Sequence, residues 1–100
     1  MARRAKPPAP SPVWSVYLLR CADASLYCGI SIDVESRLQQ HNLGKASRYT
    51  RSRLPVVLVY REEVGTKGDA LRRELAIKRL DASAKRALLR WPRGPQPLHL

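Results

Sequence analysis

The chain contains no phenylalanine, a single methionine, two cysteines and only 8 acidic residues against 19 Lys and Arg. Its apolar content is mainly Leu, Val and Ala, with four Tyr and two Trp as the large rings. That is enough for a modest core in a chain of 100 residues, which reads as one domain. Cys21 and Cys28 have no Cys or His partners nearby, which excludes a zinc site. They could face each other across a hairpin, but a cytosolic compartment disfavours a disulfide, and they read as inert, half-buried thiols. No apolar run approaches the roughly 20 residues that span a bilayer. The N-terminus, Met1-Ala-Arg-Arg-Ala-Lys-Pro-Pro, is basic but lacks the apolar stretch of a secretion signal, so a cytoplasmic location is expected.

The scarcity of acid decides the class of partner. The formal net charge is +11, and residues 13–91 alone hold 15 Lys/Arg against 8 Asp/Glu. A field of that sign over a small domain favours polyanions, and nucleic acid is the expected partner. A membrane surface is the weaker option, because no helix pattern combines a basic face with bulky apolar anchors.

Residues 1–12, with four Pro and three basic residues, read as a disordered basic arm, and residues 92–100 as a disordered tail. Between them, residues 13–91 form the domain. Val13–Cys21 and Leu26–Ile32 have strand composition and are joined by the polar turn Ala22-Asp23-Ala24-Ser25, which predicts a hairpin. Gly29 inside the second strand predicts a bulge or a close backbone approach. Asp33 caps a helix to about Asn42, which Gly44 ends. Lys45–Arg53 reads as a loop, Val56–Tyr60 as a third strand opened by Pro55, and Gly65–Gly68 as a turn. A second helix is expected from Asp69 to Leu80, and a third, capped by Asp81, to about Arg90. The order is ββαβαα, an α+β fold with a small sheet covered by helices.

On the first helix, Val34 and Leu38 lie about 40° apart as an apolar stripe. Arg37 and His41 sit one turn apart at its edge, either as a solvated boundary pair or as functional groups where helix meets sheet. On the second helix, Glu74 shares a face with Ala70 and Ile77. A carboxylate among apolar residues needs a cation, which could be Arg37, a divalent metal or another arginine in a structural salt bridge. Tyr17 and Tyr27 fall on adjacent strands, where aromatic pairs commonly just fill a sheet face. Taken with Arg37 and Glu74, they are four polar groups that a hairpin, the next helix and a later helix can place around one shallow cleft. Lys45-Ala-Ser-Arg-Tyr-Thr-Arg-Ser-Arg53 supplies Lys45, Arg48, Arg51 and Arg53 for phosphates and Tyr49 for stacking, with no acid in the run. Lys85, Arg86 and Arg90 read as plain surface charge.

These residues resemble the GIY-YIG nuclease domain family, and within it the small single-domain bacterial branch. The matching pieces are Val16-Tyr17-Leu18, Tyr27-Cys28-Gly29, Arg37-Leu38 with His41-Asn42, Arg48-Tyr49-Thr50, Leu58-Val59-Tyr60, and Glu74 with Ile77-Lys78. The resemblance implies a three-stranded antiparallel sheet flanked by three helices, and hydrolysis of phosphodiester bonds with one divalent cation, Mg²⁺ or Mn²⁺. It implies Tyr17 beside the attacking water, Tyr27 at the scissile phosphate and Arg37 stabilising the charge that builds there. It also implies His41 assisting Tyr17 or contacting phosphate, Glu74 holding the metal, and Asn42 near the cleft. The family pattern is altered at Ser15-Val16 and Cys28, changes that spare both tyrosines.

The leading expectation is a metal-dependent endonuclease acting on DNA ahead of RNA, in repair or turnover, with target specificity either low or supplied by a protein partner. The alternatives are a non-catalytic DNA- or RNA-binding module on the same fold, or an adaptor whose tails recruit another nuclease. The general base is open among Tyr17, His41 and a water chain.

Overall fold

The computed structural model describes residues 12–90, so the N-terminal arm, apart from Pro12, and the tail lie outside the described residues. Three strands, β1 (Trp14–Arg20), β2 (Leu26–Ser31) and β3 (Val57–Gly65), form one sheet in the order β2-β1-β3. Both pairings are antiparallel. Helix α1 (Val34–Asn42) and the single turn α2 (Arg48–Arg51) precede β3, while α3 (Lys67–Lys78) and α4 (Ala82–Leu88) follow it. The expected antiparallel sheet with flanking helices is present, and the short α2 adds a fourth helical segment among the described residues.

The central strand explains the layering. Side chains of a strand alternate between faces, and β1 is buried on both from Ser15 to Leu19. Val16 and Leu18 pack with Cys28, Tyr60, Ala70 and Ile77, on the face covered by α3. Tyr17 and Leu19 pack with Cys21, Val34 and Val56, on the face covered by α1. Burying a residue such as Leu18 stabilises the fold by about 1.5–3 kcal/mol. The two cysteines therefore sit on opposite faces and do not meet across the hairpin; both are free and buried.

Local chemistry sets the element ends. The Asp33 side chain accepts from the Ser36 amide at the start of α1, and Gly44 takes a φ of +75° just past its end, where a side chain would be strained. In the hairpin turn Ala24 holds a φ of +68°, the conformation a glycine would relax. Three boundaries differ from the sequence expectation. Ser47 caps the turn α2 inside the stretch expected to be loop. β3 continues past Tyr60 to Gly65 because its charged residues find partners on the helices: Arg61 pairs with Glu35 of α1, and Glu62 with Arg73 of α3. α3 starts at Lys67, not Asp69, because Thr66 and Asp69 cap it reciprocally.

Candidate active site

Tyr17 projects from the middle of β1 onto the α1 face and lies across Gly29, its register partner on β2. A Cβ on Gly29 would stand 2.5 Å from the Tyr17 hydroxyl and 2.6 Å from its ring carbon Cζ. The glycine in β2 thus marks a close approach, and the partner is this tyrosine.

The Tyr17 hydroxyl is 2.8 Å from Nε2 of His41, and Nδ1 of His41 is 2.8 Å from Oγ1 of Thr50. Thr50 in turn lies 2.8 Å from the Ser47 hydroxyl. Tyr17, His41 and Thr50 are each at most 1% exposed. The sequence placed His41 at a helix boundary; the structure puts it wholly inside, as the centre of a hydrogen-bonded chain from β1 through α1 to α2. Thr50 belongs to the Arg48-Tyr49-Thr50 match but has no role assigned from the sequence. Its signal was the Ser47–Thr50 spacing, a hydroxyl cap whose Thr points inward while the basic residues around it point outward.

Burial and Arg37 together lower the His41 pKa to about 4, so the imidazole is neutral near pH 7. One nitrogen then donates and the other accepts, as a chain of two hydroxyls around one ring requires. Burial, reinforced by Tyr27 and opposed by Arg37, pushes Tyr17 up to about 12. At neutral pH it is a phenol, its proton available to donate to Nε2.

Tyr27 completes a ring cluster on this face, with its centroid 6.5 Å from Tyr17, 5.0 Å from His41 and 6.0 Å from Tyr49. The Arg53 guanidinium lies 3.8 Å over the Tyr49 ring and is held 3.0 Å from Asp23 of the hairpin turn. The acid missing from the basic run is thus supplied by the turn between β1 and β2. Lys45, Arg48 and Arg51 are exposed. Asn42 has a structural partner: its amide donates to the Val56 carbonyl at 2.9 Å and accepts from the Val56 amide at 2.8 Å.

Arg37 is half-buried, donates to Gln40 at 3.0 Å, and lines a groove with Trp14, Ile30 and Ser36 along β2. Glu74 belongs to α3 and lies on the other face, where it acts on Cys28 of β2 and sits 3.6 Å from Lys78. β2 is an edge strand with α1 against one face and α3 against the other. Arg37 therefore flanks this edge on the tyrosine face, where its charge acts on Tyr17 and His41, while Glu74 flanks it from the other face. Glu74 is partly exposed and pairs with a lysine, not with Arg37 or another arginine.

Among the described residues, no group of three or more His, Cys, Asp or Glu side chains could cage a metal. A single accessible carboxylate in a loose ion pair does fit a hard, hydrated cation, which takes one or two carboxylates and completes its shell with water and phosphate oxygens.

The model of the GIY-YIG catalytic domain matches residues 13–87. Relatives include a UPF0213 protein of Desulfotalea psychrophila, 45% identical over 86 residues that cover 85% of this chain and 78% of the relative. A UPF0213 protein of Staphylococcus haemolyticus is 47% identical, over 70% of this chain and 85% of its own. Among solved structures, the solution structure of a UPF0213 protein of Bacillus halodurans is 38% identical with a TM-score of 0.52, over 82% of this chain and 87% of that one. An E. faecalis protein is 29% identical with a TM-score of 0.58, over 90% and 97%. Among the described residues, no helix is long and apolar enough to cross a membrane.

Proposed function

Because the chain belongs to the GIY-YIG catalytic domain family, we propose that it is an endonuclease hydrolysing phosphodiester bonds in nucleic acid, DNA ahead of RNA, in repair or turnover. The observation that carries this reading is the buried chain Tyr17–His41–Thr50 beside Arg37. Any buried tyrosine hydroxyl needs one partner, but here the partner is a neutral imidazole held at its other nitrogen by Thr50, an arrangement that can relay a proton.

The residues divide the work as follows. The Tyr17 oxygen accepts a proton from the attacking water while its own proton passes to Nε2 of the neutral His41. This relay needs no free phenolate, which matters for a phenol pushed up to about 12. Thr50 fixes the ring at Nδ1, so that Nε2 stays aimed at Tyr17. Tyr27 holds the scissile phosphate, and Arg37, a fixed cation on the groove wall, neutralises the charge that develops on its oxygens. Lys45, Arg48 and Arg51 bind the flanking backbone. Glu74 would hold Mg²⁺ or Mn²⁺, which when bound supplies Lewis-acid stabilisation of the phosphate and leaving group. Arm, domain and tail divide at residues 12 and 92, and a protein partner supplies target choice.

A second reading, a non-catalytic nucleic-acid-binding module, draws support from the near-complete burial of Tyr17 and His41. Cleavage of labelled duplex, branched and single-stranded DNA and RNA, with Mg²⁺, Mn²⁺ or EDTA, separates the two. Metal-dependent cleavage that Glu74→Ala abolishes is the expected result. Salt-sensitive binding with no cleavage under any condition selects the binding module.

A further inference from the structure

At the edge of β2 lies a half-open cavity of about 160 Å³, beside the catalytic cluster and lined from both faces of the sheet. Leu18 and Cys28 line it from the α3 face, and Tyr27 and Tyr49 line it from the α1 face. Two cations stand at it, Lys78 from α3 and Lys85 from α4. Both ammoniums also act on the buried Cys28 thiol, so two helices aim their charge at one place. Lys85, which reads from the sequence as plain surface charge, is only partly exposed here.

The combination matches one ligand chemistry. Apolar and aromatic lining side chains suit a planar ring, and paired ammoniums suit the phosphate attached to it. Size narrows the ring further. An apolar cavity of roughly 150 Å³ admits one benzene ring, so this cavity matches a one-ring base better than a two-ring purine. Its position fixes which nucleotide would enter. Tyr27 belongs both to this lining and to the cluster around Tyr17, and Lys78 is also the ion-pair partner of Glu74. A nucleotide seated here is therefore a close neighbour of the phosphate being cut. A base can enter only if it is out of the helical stack.

We propose that this cavity binds an unpaired pyrimidine nucleotide next to the scissile phosphate, with its ring against Tyr27 and Tyr49 and its phosphate on Lys78 and Lys85. The proposal rests on the nuclease reading for the identity of the neighbouring site. It makes the preferred substrate single-stranded or locally unpaired at that nucleotide, and makes Lys85 a specificity residue outside the catalytic group.

The test is fluorescence anisotropy of the full-length protein with labelled single-stranded oligonucleotides in EDTA, which blocks metal-dependent cutting. Homopyrimidine, homopurine and abasic-interrupted oligonucleotides are compared at several salt concentrations, for the wild type and for Tyr49→Leu and Lys85→Gln, with folding of each checked by circular dichroism. The wild type is expected to prefer pyrimidine over abasic and purine strands by about 5-fold or more, the lower range of one base–aromatic stack. Tyr49→Leu should erase that preference. Lys85→Gln should weaken binding to every strand and reduce the salt dependence by about one counterion. Equal wild-type affinity for all three strands, or a preference unchanged in both folded variants, overturns the proposal. A parallel cleavage assay distinguishes the two failures. Metal-dependent cutting without any base preference removes the pocket alone, whereas preferential binding without cutting on any substrate removes the nuclease and leaves the pocket standing.

Discussion

The two faces of the sheet are built on the same central strand but follow different rules. Under α3, Val16, Leu18, Cys28, Ala70 and Ile77 make a layer whose only buried polar tip is the Tyr60 hydroxyl, and that hydroxyl donates to Glu62 at the margin. Under α1, alternate residues of the same strand enter a layer that contains a phenol, an imidazole and a threonine hydroxyl, all buried and bonded in series. Among the described residues no buried side-chain polar atom is left without a partner. Burying three polar groups gains no more stability than apolar residues of the same shape would give, and it is tolerated only because each is satisfied. One face holds the fold together, and the other holds a hydrogen-bonded chain, the proposed proton path, whose cost the fold can bear.

That contrast can be tested one residue at a time. Ile77→Ala strikes the apolar face and should destabilise the protein by about 2–5 kcal/mol, measured by urea unfolding, while the fraction that remains folded keeps its cleavage rate. Gly29→Ala strikes the other face, where the new methyl would meet the Tyr17 hydroxyl and ring. About 1–3 kcal/mol of overpacking cost is expected from unfolding curves, and because the tyrosine itself must shift, cleavage should fall in the folded protein too.

The His41 environment adds a pH signature that only the polar face can produce. An unfolded chain takes up the histidine proton near the ordinary value of 6.5, whereas the folded chain, with burial first and Arg37 second opposing the charge, holds it off until about 4. Between those values the unfolded state binds more protons, so stability falls as pH drops through that window. Unfolding midpoints measured from pH 7 to pH 4 should therefore decline, and His41→Gln should flatten the decline. The smallest effect should come from the rim. Asp23→Ala removes the exposed pair with Arg53 and should lower the melting temperature by the least of these changes, while loosening Arg53 over Tyr49.

The elements with strong local signals were legible in the chain. Asp33 marks the start of α1, the apolar runs mark β1 and β2, and Gly29 marks a close approach. What sequence left hidden depends on distant partners. The charged half of β3 looked like the end of a strand, because the pairings of Arg61 with Glu35 and of Glu62 with Arg73 exist only after folding. His41 at helical spacing looked like a boundary residue, because nothing local reveals that Tyr17 and Thr50 occupy both its nitrogens. The turn α2 was masked by its charges, although the Ser47–Thr50 cap was present to be read. The tyrosines, Arg37, His41 and Glu74 were each named from the sequence. Their division between two faces of an edge strand became visible only with the strand order.

The most direct test of the proton path is the cleavage rate of Tyr17→Phe in saturating Mg²⁺, normalised to folded protein and to measured nucleic-acid affinity. The ring still fills its place over Gly29, so packing and binding should survive. The predicted rate is lower by about 10²–10⁴-fold, the range expected when a positioned proton-transfer group is lost. A rate equal to that of the wild type would contradict the account and leave the buried chain as architecture alone.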